Sequence, residues 1–377
     1  MNADGETMDA MLDFFARLPD ARTGNRLSHA LNEIVTLTLV AFLAGAKGPV
    51  GVVRFAQERE EWLRRFFVFP GGLPSHDTIG RVWGALDPHA FAERFRLFAS
   101  NLAAAFAGAD VEKTVSIDGK CSRGADPTGR LLDTVGAWCH GTGLVLAQLA
   151  VEDKSNESAA IPLLLDLLHV KGVLFTIDAA GTTRPIAEKI LAGKGDYVLA
   201  VKDNQPNLLE EVSCRMSARL TGPIPVRTTR AETLDKGHGR LETRRCAATD
   251  DVSSLRRRTG FPGIRSAAVI ERIREVGGVV TTEQVFFVSS RRLTAEEFLR
   301  HVRGHWGIEN KLHWVLDVSM GEDACQAKAA ARNFAVLRHF AYDILKVDPK
   351  EDSISGKMQR AAWNPEYLES LLRRIPV

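Results

Sequence analysis

The sequence predicts a mixed α/β protein that begins with an all-helical segment and is interrupted by a β-rich insertion. Three observations predict it. Through about the first hundred residues, apolar positions recur at helical spacing between polar or Gly/Pro breaks. From about residue 111, short β-branched runs alternate with helical stretches, the pattern of strands bracketing helices. Between residues 221 and 292, short alternating segments rich in charge replace both.

In the amino-terminal part, helices are expected over residues 7–18, 30–45, 51–67, 75–86 and 88–107. Ser75-His76-Asp77-Thr78 stands ahead of an apolar-periodic run and offers capping side chains. The next part reads as strands TVSID, LLDTVGAWC and GLVLAQLAVE, a helix over Glu157–His169, the strand VLFTID, a helix over Arg184–Ala192 and the strand DYVLAV. The insertion carries VRTTRAET, LETRRCAAT, SAAVIERIREV and TTEQVFFVSS. Beyond it, a helix is expected through His301–Asp323 and another over Leu337–Leu345, then a polar linker, DPKEDSISGK, and a short terminal helix. The resulting division is residues 1–108, 109–220, 221–293, 294–346 and a tail, 347–377.

Composition narrows the function classes only a little. Lys+Arg number 49 against Asp+Glu 47, a net charge of +2, so any polyanion-binding surface must come from local clustering. Five scattered cysteines without a C-x-x-C pair argue against a disulfide framework or a structural zinc site and point to a reducing cytoplasm. The most apolar run, Ile34 to Ala46, is too short to span a bilayer, and the amino terminus lacks an export pattern. Neither export nor a membrane span is expected.

Chemistry concentrates in four places. The first is a set of carboxylates. The strands ending SID and TID put Asp118 and Asp178 where open α/β sheets bind ligands, next to glycines that let backbone approach closely. Asp after a strand is also a common turn or cap residue. His301–Asp323 packs three histidines, two tryptophans and four carboxylates into one stretch; helical spacing gives His305, Glu309 and His313 one stripe. Three acids suit a pair of hard divalent cations clamping a phosphoryl transfer. Glu322 and Asp323, at the end of the stretch, rival Glu309. The second place is a polar rim of Lys120, Arg123, Lys154, Asn156, Lys202, Asn204 and Gln205, residue types that neutralise phosphates or donate to them, and equally those of any exposed loop. The third is Lys236-Gly237-His238-Gly239-Arg240, which reads as a hairpin tip, either solvated or inserted into DNA. The fourth is a zinc site through His305, Glu309 and His313. It is disfavoured, because metalloprotease histidines lie four apart with Glu next to the first, whereas these lie eight apart.

Taken together, LPDARTGNRLSHAL, LPSHDTIGRVW, SIDGKCSRG, VEDKSNESAAIPLLLDLL, TIDAAG, DYVLAVKDNQ, KGHGRLETRR and HWGIENKLHWVLDVSMGEDA resemble insertion-sequence transposases of the DDE class, in the group that includes the H-repeat-associated proteins. The resemblance runs over nearly the whole chain. It implies an RNase H-like catalytic domain with its acids at Asp118, Asp178 and Glu309. These would hold Mg²⁺, with Mn²⁺ as a workable substitute. It further implies cleavage of transposon ends and transfer of the freed 3′-hydroxyl into target DNA by a homodimer or larger assembly, in a bacterial cytoplasm at the nucleoid. Lys120, Lys202 and Arg303 are then expected to contact phosphate, with His238 and Arg240 contributing from the hairpin. Four residues before Glu309, where related enzymes carry an Arg, this chain has His305, which would replace that cation. Ala180, Thr182, Thr183 and Asp203 also depart from the group's usual residues. Two alternatives share this ancestry: a catalytically silent or domesticated DNA-binding descendant, and a nuclease that hydrolyses without strand transfer.

Overall fold

The computed structural model describes residues 3–22, 28–106, 113–122, 132–151, 157–237 and 240–376. The amino-terminal helices are α1 (Ala3–Ala16), α2 (Leu31–Leu43), α3 (Pro49–Glu58), the short α4 (Glu60–Leu63), α5 (His76–Ala85) and α6 (Pro88–Phe106). The single helix expected over 51–67 breaks at Arg59, whose guanidinium reaches the carbonyl of Ala362 at 2.7 Å. Ser75 caps α5 by accepting the Thr78 amide at 3.2 Å. Apolar on nearly every face, α2 is buried on nearly every face. Among its buried polar residues, Thr38 donates to the Ile34 carbonyl at 2.6 Å and accepts from the Trp83 indole at 2.9 Å.

Among the described residues, nine strands form one sheet: β1 (Thr114–Ser122), β2 (Leu132–Cys139), β3 (Val145–Val151), β4 (Leu174–Ile177), β5 (Asp196–Val201), β6 (Thr228–Gly237), β7 (Arg240–Thr249), β8 (Ser266–Val276) and β9 (Val279–Ser289). Their order is β3-β2-β1-β4-β5-β9-β8-β7-β6. β1, β4 and β5 run parallel; on one side β2 pairs antiparallel with β1 and β3 antiparallel with β2, and on the other β9 pairs antiparallel with β5, Val198 opposite Ser289. The insertion therefore continues the sheet instead of standing beside it.

One face of the sheet packs against α7 (Glu157–Asp166), α8 (Arg184–Ala192), α9 (Pro206–Met216) and α10 (Ser253–Thr259) through Val115, Ile117, Phe175, Ile177, Leu199 and Val269. The other face carries α11 (Ala295–His305) on Leu174, Val198, Cys246, Ile270 and Val285. A capping box starts α11: Thr294 accepts the Glu297 amide, and Glu297 accepts the Thr294 amide at 2.7 Å.

The regular helix expected through residue 323 ends at His305. Residues Ile308–His313 and Val315–Ser319 wind instead as π-helix, a form that recurs at functional sites. Glycines permit the close approach at this junction: a Cβ on Gly304 would lie 2.4 Å from the His140 ring, and one on Gly307 3.0 Å from Trp138.

The chain closes with α12 (Ala331–Val347), α13 (Ile354–Trp363) and α14 (Pro365–Leu372). Only the first residues of the expected polar linker are irregular, because Ser353 accepts the Gly356 amide at 3.0 Å and starts α13. These helices share one apolar core with α1–α6, centred on Phe340 of α12, whose ring lies 4.8–5.7 Å from those of Phe15, Phe91, Phe95 and Phe98.

Candidate active site

In the parallel pair β1–β4 the register matches Ser116 with Thr176 and Ile117 with Ile177. The residue after that last pair is an aspartate on each chain segment, so Asp118, still on β1, and Asp178, just past β4, emerge beside each other. Alternation along a strand turns Thr114, Ser116 and Asp118 to the α11 face while Val115 and Ile117 go to the opposite core. β1 continues past Asp118 to Ser122, whereas Asp178 directly follows β4 and accepts the Gly181 amide at 3.2 Å.

Glu309 comes from the first π turn. Asp118, Asp178 and Glu309 line one cavity of about 180 Å³ together with Thr176, Lys202, Arg272, His305 and Trp306, over an apolar floor that includes Val198, Val285 and Phe287. Partial loss of solvent, then the neighbouring Asp178 charge, raises the Glu309 carboxyl above its ordinary value. A cation would relieve that repulsion, and the donors are all carboxylate oxygens, which hard cations prefer. In donor chemistry the three residues fit Mg²⁺. Among the described residues, no three His, Cys, Asp or Glu side chains converge closely enough to hold an ion as they stand.

Two histidines stand beside the acids, His305 in the cavity lining and His313 near Asp118. Burial lowers the His305 pKa below its ordinary value, against the opposing pull of Asp178, and its Nδ1 lies 3.0 Å from the Thr176 hydroxyl. Burial thus weighs against the charged form of this ring and Asp178 weighs for it. Thr176 continues to the Ser116 hydroxyl at 3.0 Å, and Ser116 to His140 Nε2 at 2.7 Å. His313 Nδ1 lies 3.8 Å from an Asp118 oxygen, but burial pushes its pKa down to about 3, so this is a contact of a neutral ring and not an ion pair.

The remaining candidates disperse. Lys202 is exposed at the cavity rim. Lys120, expected to meet phosphate, is buried and held by Asp317 at 2.6 Å and Glu322 at 3.6 Å. Glu322 is thereby committed to Lys120 and to the Ser122 hydroxyl at 3.2 Å, and neither it nor Asp323 lines the carboxylate cavity. Asn204 donates to the carbonyls of Ala179 at 2.7 Å and Thr182 at 3.3 Å, and Thr182 donates to Ala200 at 2.7 Å, so both brace the loop after Asp178. Gln205 precedes α9 without capping it. Arg303 faces a neighbouring cavity and pairs with Asp235 at 2.8 Å. Arg123, Lys154, Asn156 and His238 lie outside the described residues, as does the Arg240 side chain. Sequence reasoning missed Arg272 of β8, which lines the acid cavity and stacks 5.3 Å from the Trp306 ring. Its signal was the alternation of SAAVIERIREV, which puts Ile270 and Arg272 on one face.

The family description Transposase DDE domain matches residues 112–344, and one described as DDE_Tnp_1-associated matches residues 12–99. The chain is 33% identical to the H repeat-associated protein YhhI of Escherichia coli (strain K12), covering 96% of this chain and 97% of the relative. YncI of Escherichia coli O157:H7 is also 33% identical, with 97% and 95% covered. A protein in the dhlA 3′ region of Xanthobacter autotrophicus is 38% identical over 74% of this chain and 93% of its own length. A piggyBac transposase synaptic complex with hairpin DNA aligns at TM-score 0.42 and 10% identity over 98% of this chain and 80% of that one, too distant to carry an argument. On the matched span and the full-length relatives, this chain belongs to the transposase DDE family.

Proposed function

We propose that the chain cleaves the ends of its own mobile element and joins the freed 3′-hydroxyl to target DNA, with Asp118, Asp178 and Glu309 as the catalytic acids. The observation that carries this reading is the meeting of all three in one cavity, from a parallel strand pair and the π segment. An RNase H-like core is the reading of the sheet, supported by the order β3-β2-β1-β4-β5 with β2 antiparallel and the rest of the central strands parallel. The partner is duplex DNA, gripped by a dimer or larger assembly.

Each group has a role in this reading. Asp118, Asp178 and Glu309 would hold Mg²⁺, which when bound supplies Lewis-acid stabilisation of charge on the transferred phosphoryl group. Lys202 and Arg272, on the rim, neutralise the incoming phosphate. Val285 and Phe287 of the sheet and Val302 of α11 exclude water, which strengthens every charge interaction in the cavity. His305, anchored to Thr176, fixes the end of α11 over the two aspartates.

The test uses duplexes carrying the DNA that flanks the gene, with Mg²⁺ present. Wild type should yield both nicked and joined products, and Asp118→Asn should lose both while still retarding the duplex in a mobility shift. Nicked product without joining would leave a nuclease; retardation without either product, in wild type, would leave a silent DNA-binding descendant.

A further inference from the structure

Beside the acid cavity lies a larger one, of about 810 Å³, whose lining includes Arg244, Arg300, Arg303, Lys236 and Lys311 and which shares Trp306 with it. We propose that this groove binds the phosphodiester backbone of duplex DNA, and that Asp235 and Glu242 occupy it in the free protein as stand-ins for phosphate. The proposal rests on the DNA-processing reading above and adds where the backbone lies and what must move to admit it.

The register builds the groove. On the α11 face of the insertion, one cross-strand row is Ala231, Cys246, Ile270 and Val285, apolar and packed under α11. Two residues outward on each strand, the same face presents Thr233, Arg244, Arg272 and Glu283, and two further Asp235, Glu242, Arg274 and Thr281. Arg244 stands directly opposite Arg272, and Asp235 directly opposite Glu242. Like charges placed directly across a ladder destabilise it unless neighbours offset them, as Glu283 does for Arg272 at 3.7 Å.

The ion pairs resolve it diagonally, in the manner of a phosphate site. The Arg244 guanidinium spreads its fork over two carboxylates, Asp235 at 2.5 Å and Glu242 at 2.6 Å, and Arg303 of α11 reaches the same Asp235 oxygen at 2.8 Å. Two guanidiniums from different elements thus converge on one anionic oxygen, with a second oxygen held beside it. A phosphodiester offers two such oxygens and is the group Arg forks recognise. Arg244 and Glu242 are largely shielded from solvent, whereas Arg303 is mostly exposed and free to follow a ligand. Arg272, the cross-strand neighbour of Arg244, lines the acid cavity, so the two arginines place adjoining phosphates in adjoining cavities. DNA entering must displace Asp235, which tempers affinity until contacts elsewhere are made.

Full-length protein and a short labelled duplex of arbitrary sequence, titrated by anisotropy across a range of salt, test this, with the gene-flanking duplex in parallel. Asp235→Asn should bind about threefold to tenfold tighter. Arg244→Ala with Arg303→Ala should bind at least about tenfold weaker, with the salt slope reduced by about two phosphates. Equal effects on both duplexes would assign the groove to any backbone, and effects confined to the flanking duplex to the element's ends; either supports the proposal. If wild type binds but all variants match it in affinity and slope, the ion pairs are structural, the proposal is overturned and the transposase reading stands. If wild type binds neither duplex, the underlying reading fails first. Should Asp235→Asn not fold, the exposed Arg303→Ala alone carries the test: unchanged affinity and slope overturn it.

Discussion

Asp343 of α12 shows how strongly single side chains are committed in this chain. It is fully buried; one oxygen accepts the Val145 amide at 2.9 Å, and the other has no hydrogen-bond partner among the described residues. Burial raises its carboxyl well above the ordinary value. The sign follows: as pH rises above about 4 the unfolded chain releases this proton and the folded chain does not, so stability falls by up to about 1.4 kcal/mol per pH unit until the folded pKa is reached. Asp343→Asn should flatten that part of the profile in urea melts between pH 4.5 and 7. An unchanged profile would show that Asp343 does not hold its proton. At this scale the sequence singled out three acids that line one cavity, two at strand ends and one after His-Trp, although Asp after a strand is equally a turn or cap residue. It did not reveal that Lys120 spends its charge on Asp317 and Glu322, since an ion pair between residues so far apart in sequence depends on packing.

At the scale of elements, α11 leads into the π turn that holds Glu309, and its start is set by the capping box at Thr294. Thr294→Ala should cost about 1 kcal/mol in a denaturant melt, and it should lower cleavage more than DNA binding, because fraying α11 loosens His305 and the π turn that follows. Equal loss of both would mean that the helix start serves folding only. Helix and strand positions were largely legible from periodicity: the helix at Arg184–Ala192 and the strand DYVLAV stand where apolar spacing put them. The π winding after Ile308 was not, since an i→i+5 ladder leaves no distinct hydrophobic period in a stretch this short. Nor was α10, which ends in the basic run Arg256–Arg258, placed where it complements the carbonyl end of the helix.

At the scale of the molecule, the two ends of the chain form one helical body. Met358, Leu368, Leu371 and Leu372 of the tail are buried in the same core as Phe15, Phe42 and Phe91. The sequence suggested an amino-terminal helical unit and a separate tail, because nothing local in either stretch announces its partner several hundred residues away. Deleting 347–377 should therefore leave the remaining helices with an uncovered apolar face, and the truncated chain should aggregate or melt well below the full chain. A truncated chain with the same melting temperature would show that the tail is an accessory. The helical body also meets the π segment through Ile308, Leu312 and Leu316, so it supports Glu309 from behind.

The central claim is that Asp118, Asp178 and Glu309 act as one unit. Single-turnover cleavage of an end-containing duplex with Mg²⁺, compared across Asp118→Asn, Asp178→Asn, Glu309→Gln and the triple variant, tests it most directly. Residues acting as a unit are non-additive, so each single change should lower the rate by a factor on the order of 10³ or more, to about the level of the triple variant. Glu309→Gln cleaving at the wild-type rate, with Glu322→Gln or Asp323→Asn silent instead, would contradict it.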